Sequence, residues 1–197
     1  MQFFLTFLIC VIVLVSGKEF DAEKQCCFGD RWGIKLHEHF VTKTWTNEDS
    51  FRIYYDYKQR KKLTHYLLFD TYSLVNETTM LTYSAKMPTF NMCLDNRGLI
   101  DTNLNDESLV GSVQCVGTAS GYSEISRNRD IVYLYKESKD WKVTYQFKTD
   151  TCQFVSQRRE TISGIITYKV ELANLDTGIL DVFPKIMEKS CEGNQKP

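Results

Sequence analysis

The chain has 197 residues, with 24 Lys or Arg and 25 Asp or Glu, which gives a formal net charge of −1 at pH 7. This balance argues against a nucleic-acid partner, because such proteins neutralise phosphates with an excess of basic side chains. Three prolines and ten glycines exclude a linker or a low-complexity protein. Eleven tyrosines and twelve phenylalanines suit both strands and apolar pockets.

The first segment has the pattern of a secretory signal peptide. Residues 1–17 form an apolar run that ends in Val15-Ser16-Gly17, and charged residues begin with Lys18. The alternative is a signal anchor that stays attached, although the run is short for a membrane span of about 20 residues. We predict cleavage, secretion and a single domain over residues 18–197, since that length fits one core.

Short runs in which apolar and polar residues alternate follow along the chain, as in half-buried strands. The predicted strands are Ile34–Phe40, Phe51–Asp56, Leu63–Asp70, Thr79–Ser84, Thr89–Leu94, Ile131–Lys136, Trp141–Lys148, Cys152–Gln157 and Ile165–Leu172. Turn residues separate several of them, at Asn47–Ser50, Lys58–Lys61 and Glu137–Asp140. The one predicted helix is short, around Pro184–Glu188. The pattern predicts an all-β domain of antiparallel strands, either a sandwich or an open barrel.

The polar segment Asp95–Ser108 interrupts the alternation, and we predict a mobile loop there. Within it, Asp101–Glu107 alternates oxygen-bearing side chains as a calcium loop does. The sixth position, however, is Asp106 where such a loop needs glycine, and Ser112 stands where the bidentate Glu belongs. An EF-hand-like site is therefore not expected, while a looser calcium site built by folding stays open.

Seven cysteines are present, and Cys10 leaves with the signal peptide. An even number of cysteines in a secreted chain predicts disulfides, although six allow about 15 pairings. The six are Cys26, Cys27, Cys93, Cys115, Cys152 and Cys191. Adjacent Cys26 and Cys27 are not expected to pair with each other. The chain has no C-x-x-C pair and only three histidines, so zinc is not expected.

No arrangement of catalytic residues is predicted. His37 and His39 lie two apart on one predicted strand, but no third metal ligand stands at a recognisable spacing, so a polar outer face is the favoured interpretation. No G-x-S-x-G elbow, dinucleotide-binding glycine motif or P-loop occurs. We therefore expect no enzyme activity, no cofactor and no metal site from the residues themselves.

The sequence contains one N-glycosylation motif, Asn76-Glu77-Thr78. It lies between two predicted strands, where a surface turn is expected. We predict a glycan on Asn76.

Several short motifs occur in a recognisable order along the mature chain. The C-terminal set is Trp141, Cys152, Gly178-Ile179, Asp181, Val182-Phe183-Pro184 and Cys191. The earlier set is Cys26-Cys27 followed by Trp32, Arg52–Asp56 with Arg60-Lys61, and Phe90–Cys93. This order resembles the ependymin-related secreted glycoproteins. Members of that family often carry a Cys near Thr64–Leu68 and another close to the C terminus, and this chain has neither.

The resemblance implies two stacked antiparallel sheets like those of bacterial lipoprotein carriers, with one or two short helices and an apolar pocket between the sheets. It further implies a secreted or lysosomal glycoprotein that binds a lipid or another hydrophobic ligand, forms a homodimer and binds calcium. One bridge would join Cys152 to Cys26 or Cys27, and another would join Cys93 to Cys191. Cys115 would then pair with the remaining cysteine of the first two. The alternative function is an extracellular-matrix or cell-adhesion protein without a small ligand, and a hydrolase ranks third.

Nine aromatic or aliphatic side chains on the alternating runs are candidates for the pocket lining: Phe51, Ile53, Tyr55, Leu67, Phe69, Tyr133, Tyr135, Tyr145 and Phe147. Their orientation depends on strand register, because a shift of one residue exchanges the two faces of a sheet. A filled interior at these side chains would argue against a carrier.

Overall fold

The computed structural model describes residues 25–77, 80–84, 92–94, 104–183 and 185. In these ranges the strands are β1 (Cys26–Cys27), β2 (Arg31–Val41), β3 (Thr46–Asp56), β4 (Lys61–Tyr66), β5 (Thr71–Val75), β6 (Met80–Ser84), β7 (Met92–Leu94), β8 (Cys115–Val116), β9 (Ser123–Arg127), β10 (Ile131–Glu137), β11 (Trp141–Lys148), β12 (Phe154–Thr161) and β13 (Gly164–Ala173). A 3₁₀ helix spans Thr118–Ser120, and a short helix begins at residue 179. The described part of the chain contains no helix long and apolar enough to cross a membrane.

Eleven strands form one antiparallel sheet in the order β7-β6-β5-β4-β3-β2-β13-β12-β11-β10-β9. Neighbours in this sheet are consecutive strands of the chain, except for β2 and β13, which pair through Ile165 opposite Val41. Strands β1 and β8 form a second, two-stranded antiparallel sheet. The prediction of an all-β protein with two antiparallel sheets is confirmed, and one of the sheets holds most of the strands.

The large sheet curves around residues 104–116, which we call the covering segment. The Tyr57 hydroxyl, just after β3, donates to the carbonyl oxygen of Gly111 at 2.7 Å, and the Tyr145 hydroxyl on β11 donates to that of Leu109 at 3.2 Å. Strands β3 and β11 are four positions apart in the sheet, about 19 Å if the sheet were flat. Because the two accepting residues are only two apart in the chain, the sheet must bend towards them. We call the concave side the inner face.

Apolar side chains cover the inner face and part of the outer face. The inner cluster combines residues of the sheet with Leu104, Val110 and Val116 of the covering segment, all buried. A separate cluster on the outer face joins β3–β6 to residues 175–183, with Leu180 buried against it. Both sides of β3 are therefore covered, which explains why adjacent Tyr54 and Tyr55 are both buried.

Several predicted boundaries need correction. The predicted turn Asn47–Ser50 lies inside β3, because the chain turns earlier, at residues 42–45, where the Thr42 hydroxyl accepts the Trp45 N–H at 3.1 Å. The predicted strand Leu63–Asp70 ends at Tyr66, and residues 67–70 form a turn in which Asp70 has a φ of 46°.

Further corrections concern shorter elements. Strand β12 begins at Phe154 rather than Cys152, because Cys152 adopts a φ of 53° in the preceding turn. Strand β7 starts at Met92 rather than Thr89. The helix predicted at Pro184–Glu188 begins earlier, at residue 179, and residues 186–188 lie outside the described ranges. The strands not predicted are β1, β5, β8 and β9, which have two to five residues each.

Candidate functional site

The inner face carries stacked aromatic rings, the most distinctive feature of this protein. Phe28 stacks on Trp32 with ring centroids 4.6 Å apart, and Trp32 lies parallel to Tyr55 at 5.9 Å. Tyr57 extends the stack at 5.0 Å from Tyr55. Phe28 also meets Phe154 edge-on at 5.7 Å, so the stack continues towards β12. Such rings offer a large apolar surface with polar edges.

The covering segment is held over these rings by hydrogen bonds to its main chain. Besides Tyr57 and Tyr145, the Gln157 amide nitrogen donates to the carbonyl oxygen of Ser108 at 2.7 Å. Gly111 approaches so closely that an added Cβ would lie 2.1 Å from Trp32 Cζ2, and its φ of +74° also favours glycine. The sheet therefore presents donors that fit an extended chain lying on its inner face.

Two disulfides secure one end of this arrangement. Cys26 bonds to Cys152 and Cys27 bonds to Cys115. Cys27 and Cys115 face each other across the β1–β8 pair, so the second bridge ties the end of the covering segment to the small sheet. Cys152 thus bonds to one of the two partners that the family resemblance implied. The implied bridge between Cys93 and Cys191 lies outside the described side chains.

The nine candidate pocket residues do not share one face. Five are buried together in the inner cluster: Phe51, Ile53, Tyr55, Tyr145 and Phe147. On β10, however, Val132 and Leu134 point inward, so Tyr133 and Tyr135 lie on the outer face. Leu67 and Phe69 belong to the turn after β4, and Phe69 is exposed.

The five inward-facing candidates are packed rather than left open. Each is at most 7% exposed, and they contact one another or the covering segment. Tyr145 and Phe147 stack at 6.0 Å, and Phe51 meets Tyr168 edge-on at 5.9 Å. A ligand on this face would therefore have to replace contacts that the covering segment now makes.

Three buried polar atoms of the inner face make no hydrogen bond within the described residues. They are the Tyr55 hydroxyl, Gln157 Oε1 and Arg159 Nε. Burial also raises the pKa of Tyr55 and of Tyr145, so both phenols stay neutral at physiological pH. Unpaired buried donors and acceptors cost free energy. They are therefore groups to which a polar atom of a ligand can bind.

A small set of charges borders the aromatic stack. Asp106 of the covering segment accepts hydrogen bonds from the Ser108 N–H at 2.9 Å and the Ser108 hydroxyl at 2.6 Å, and it pairs with Arg159 at 3.3 Å. Lys62 on β4 lies opposite Tyr55 and is only 7% exposed. Its burial lowers its pKa to about 8, although attraction to Asp106 opposes the shift. None of these positions was predicted, because charged residues on a strand usually face solvent.

We predict that Lys62→Met stabilises the protein at pH 7, by about 2–3 kcal/mol, since burying the charged amine is costly. Between pH 8 and its ordinary value of 10.5, the unfolded chain keeps a proton that the folded protein has lost. The stability of the wild type therefore rises with pH in this range, and that rise should be missing in the variant. Urea unfolding at pH 7, 8 and 9.5 tests this. Parallel pH profiles for the two proteins would contradict it.

The oxygen atoms of the calcium-like segment bind protein groups instead. Arg60 donates to Asn105 Oδ1 at 2.6 Å, and Lys136 pairs with Glu107 at 2.6 Å. Asp101 lies outside the described residues. No group of three or more potential metal-binding side chains occurs among those described.

One cluster on the outer face superficially resembles hydrolase machinery. His37 Nδ1 lies 3.4 Å from the Ser50 hydroxyl and 3.9 Å from the Glu171 carboxylate. Serine and carboxylate thus approach the same ring nitrogen, whereas a catalytic triad uses opposite nitrogens. Glu171 is also paired with Lys35 at 2.6 Å, which holds the pKa of that carboxyl below its ordinary value. His39, on the same face, lies 4.0 Å from Glu48.

The glycosylation candidate lies at a strand end. Asn76 directly follows β5 and is partly exposed. Glu77, beside it, pairs with Arg60 at 3.2 Å. Thr78 lies outside the described residues, and occupancy of the motif stays a prediction.

No family model and no curated protein sequence matches the chain. Among solved structures, it is similar to an uncharacterized conserved protein from Thermus thermophilus, with 12% identity, a TM-score of 0.47, and coverage of 80% of this chain and 87% of that one. A LolA superfamily protein from Nitrosomonas europaea gives 10% identity, a TM-score of 0.39 and coverage of 82% and 92%. A DUF1329 family protein from Desulfovibrio piger gives 10% identity, a TM-score of 0.42 and coverage of 78% and 89%. Similarities of this size assign the chain to no family.

Proposed function

We propose that this protein is a secreted, ependymin-related glycoprotein that carries a lipid or another hydrophobic ligand on the inner face of its curved sheet. The observation that carries the proposal is the aromatic inner face, which is covered by a short irregular segment instead of a second large sheet. Removing apolar ligand surface from water supplies about 25 cal/mol per Å² before ordering costs. Secretion, lysosomal targeting, dimerisation and calcium binding belong to the same proposal through the family resemblance alone.

In the proposed mechanism, the ligand displaces part of the covering segment from the sheet. Tyr57, Tyr145 and Gln157 would release main-chain carbonyl oxygens and become free to bind polar atoms of the ligand. Two disulfides keep the small sheet in place meanwhile, so the segment detaches without losing its anchor at Cys115. The protein needs no catalytic group for this task, and we expect no enzyme activity.

The close packing of the inner cluster favours a second candidate, an extracellular-matrix or cell-adhesion protein without a small ligand. Phe51, Tyr145 and Phe147 are each at most 7% exposed, which also suits a filled interior. The two candidates differ in one respect: a carrier must open its covering segment under native conditions, whereas an adhesion protein has no need to do so.

Native mass spectrometry of the secreted protein, with extraction of bound compounds, tests the carrier proposal, and the same spectra show whether Asn76 carries a glycan. Displacement of a fluorescent fatty acid gives the affinity. We expect Tyr145→Phe to speed ligand entry about fivefold, because it removes one hydrogen bond to the covering segment and keeps the ring. Tyr133→Phe, on the outer face, is the matched control and should change nothing. Absence of any bound or displaceable hydrophobic compound would refute the proposal.

A further inference from the structure

The two ends of the large sheet differ in the polarity of their turns. Strand pairing places the turns at 42–45, 67–70, 138–140 and 162–163 at the same end, which we call the turn end. The adjacent hairpins are in direct register, since Ile165 pairs with Val41 and Trp141 pairs with Thr161. The disulfides lie at the opposite end, which we call the disulfide end.

Large apolar side chains project from the turn end. Ile162 is fully exposed at 102%, and Trp45 is 51% exposed. Leu68 and Phe69, on a third turn, are 62% and 52% exposed. Trp45 and Ile162 line the same surface depression, and Ile162 shares another with Trp141, so these side chains are neighbours.

The turns at the disulfide end have no comparable side chains. Their tips are Lys58–Arg60, Asn128–Asp130 and Thr149–Thr151, all polar or charged. An exposed apolar side chain on a tight turn gains nothing from the fold and costs solubility. Because the asymmetry follows the sheet axis, it indicates a surface on which the protein stands by one end.

The charges around the apolar tips indicate which surface this is. Lys43 and Lys139 lie on two of the turns, and neither makes an ion pair with the rest of the described chain. The acidic residues beside them are largely neutralised, since Glu160 pairs with Arg158 at 3.0 Å and Glu137 lies 3.8 Å from Lys142. Tryptophan and aliphatic tips flanked by free lysines match the boundary between acyl chains and phosphate headgroups.

We propose that the turn end docks on the surface of a phospholipid bilayer, with Ile162 and Trp45 inserted below the headgroups and Lys43 and Lys139 against the phosphates. The disulfide end then points away from the membrane. This orientation is independent of the proposed ligand, because it rests on exposed side chains and not on the inner face.

The test is co-sedimentation of the mature protein with phosphatidylcholine vesicles, with and without phosphatidylserine. We expect binding to both, stronger with phosphatidylserine. The double substitution Trp45→Ser/Ile162→Asn should lower partitioning by at least about tenfold, because two apolar side chains no longer leave water. Leu172→Asn is the matched control, since Leu172 is also 55% exposed but lies towards the disulfide end, and it should stay within about twofold of the wild type.

Fatty-acid displacement and thermal unfolding keep this result separate from the carrier proposal. Both should be unchanged in the double variant, because these side chains lie away from the inner cluster. Absence of vesicle binding by the wild type, or equal losses in the double variant and in Leu172→Asn, would overturn the docking proposal. It would also be overturned if the substitutions changed only the oligomeric mass of the protein, because the turn end would then bind a second copy of the chain.

Discussion

Replacing Cys26 and Cys152 together with serine should lower the free energy of unfolding by about 4–5 kcal/mol. The bridge closes a loop between residues 126 positions apart, and its removal returns that loop-closure entropy to the unfolded chain. Cys26 is also buried at 4% exposure, so its hydroxyl replacement must be accommodated in the inner cluster. Urea unfolding monitored by circular dichroism measures the loss.

The second bridge provides the comparison. Cys27→Ser/Cys115→Ser opens a loop of 88 residues, for which the chain-entropy model gives a loss within about 0.5 kcal/mol of the first. It should also release the covering segment and therefore accelerate fatty-acid entry, which loss of the Cys26–Cys152 bridge alone should affect less. A loss below about 1 kcal/mol from either double substitution would show that loop closure is not what these bridges contribute.

Gly111→Ala should destabilise the protein by about 2–4 kcal/mol. The new Cβ would lie 2.1 Å from Trp32 Cζ2 and 2.6 Å from Cη2, so either the indole or the covering segment must move. Residue 111 also adopts a φ of +74°, which costs an alanine further free energy. Thermal unfolding and Trp32 fluorescence record both effects.

Gly121→Ala separates the steric effect from the backbone effect. Gly121 has a similar φ of +79°, but its added Cβ would meet only the Lys136 side chain, at 3.6 Å. We expect about 1 kcal/mol there, from the backbone alone. Combining Gly111→Ala with Trp32→Phe should recover part of the loss by making room for the methyl group. Equal effects of the two glycine substitutions would mean that the covering segment does not press on Trp32.

The sequence predicted the strands best where one face is buried and the other is wet. On β11, Val143, Tyr145 and Phe147 alternate with Lys142, Thr144 and Gln146, and the structure buries the first three. On β10 the run Ile131-Val132-Tyr133-Leu134-Tyr135 is apolar at every position, so it contains no information about which side faces inward. Pairing with β11 decides it, and the tyrosines point outward.

The covering segment could not be predicted, for a different reason. Leu104, Val110 and Val116 recur every six residues, a spacing that matches neither a helix nor a strand. Their burial depends on Tyr57, Tyr145 and Gln157, which lie elsewhere in the chain and donate to its carbonyl oxygens. The one local signal was Gly111 between apolar residues, where a close approach of the backbone is common.

The pairing of β2 with β13 also sets the expected folding kinetics. Strands β2–β7 and β9–β13 form two successions of hairpins, and every neighbouring pair within each is local in sequence. Only the β2–β13 ladder joins them, through residues as far apart as Val41 and Ile165. Local hairpins form within microseconds, whereas a long-range contact must first overcome the entropy of closing its loop. Because Cys26 precedes β2 and Cys152 precedes β12, their oxidation holds the two halves together, and a chain refolding with this bridge intact should form the ladder faster than a reduced one.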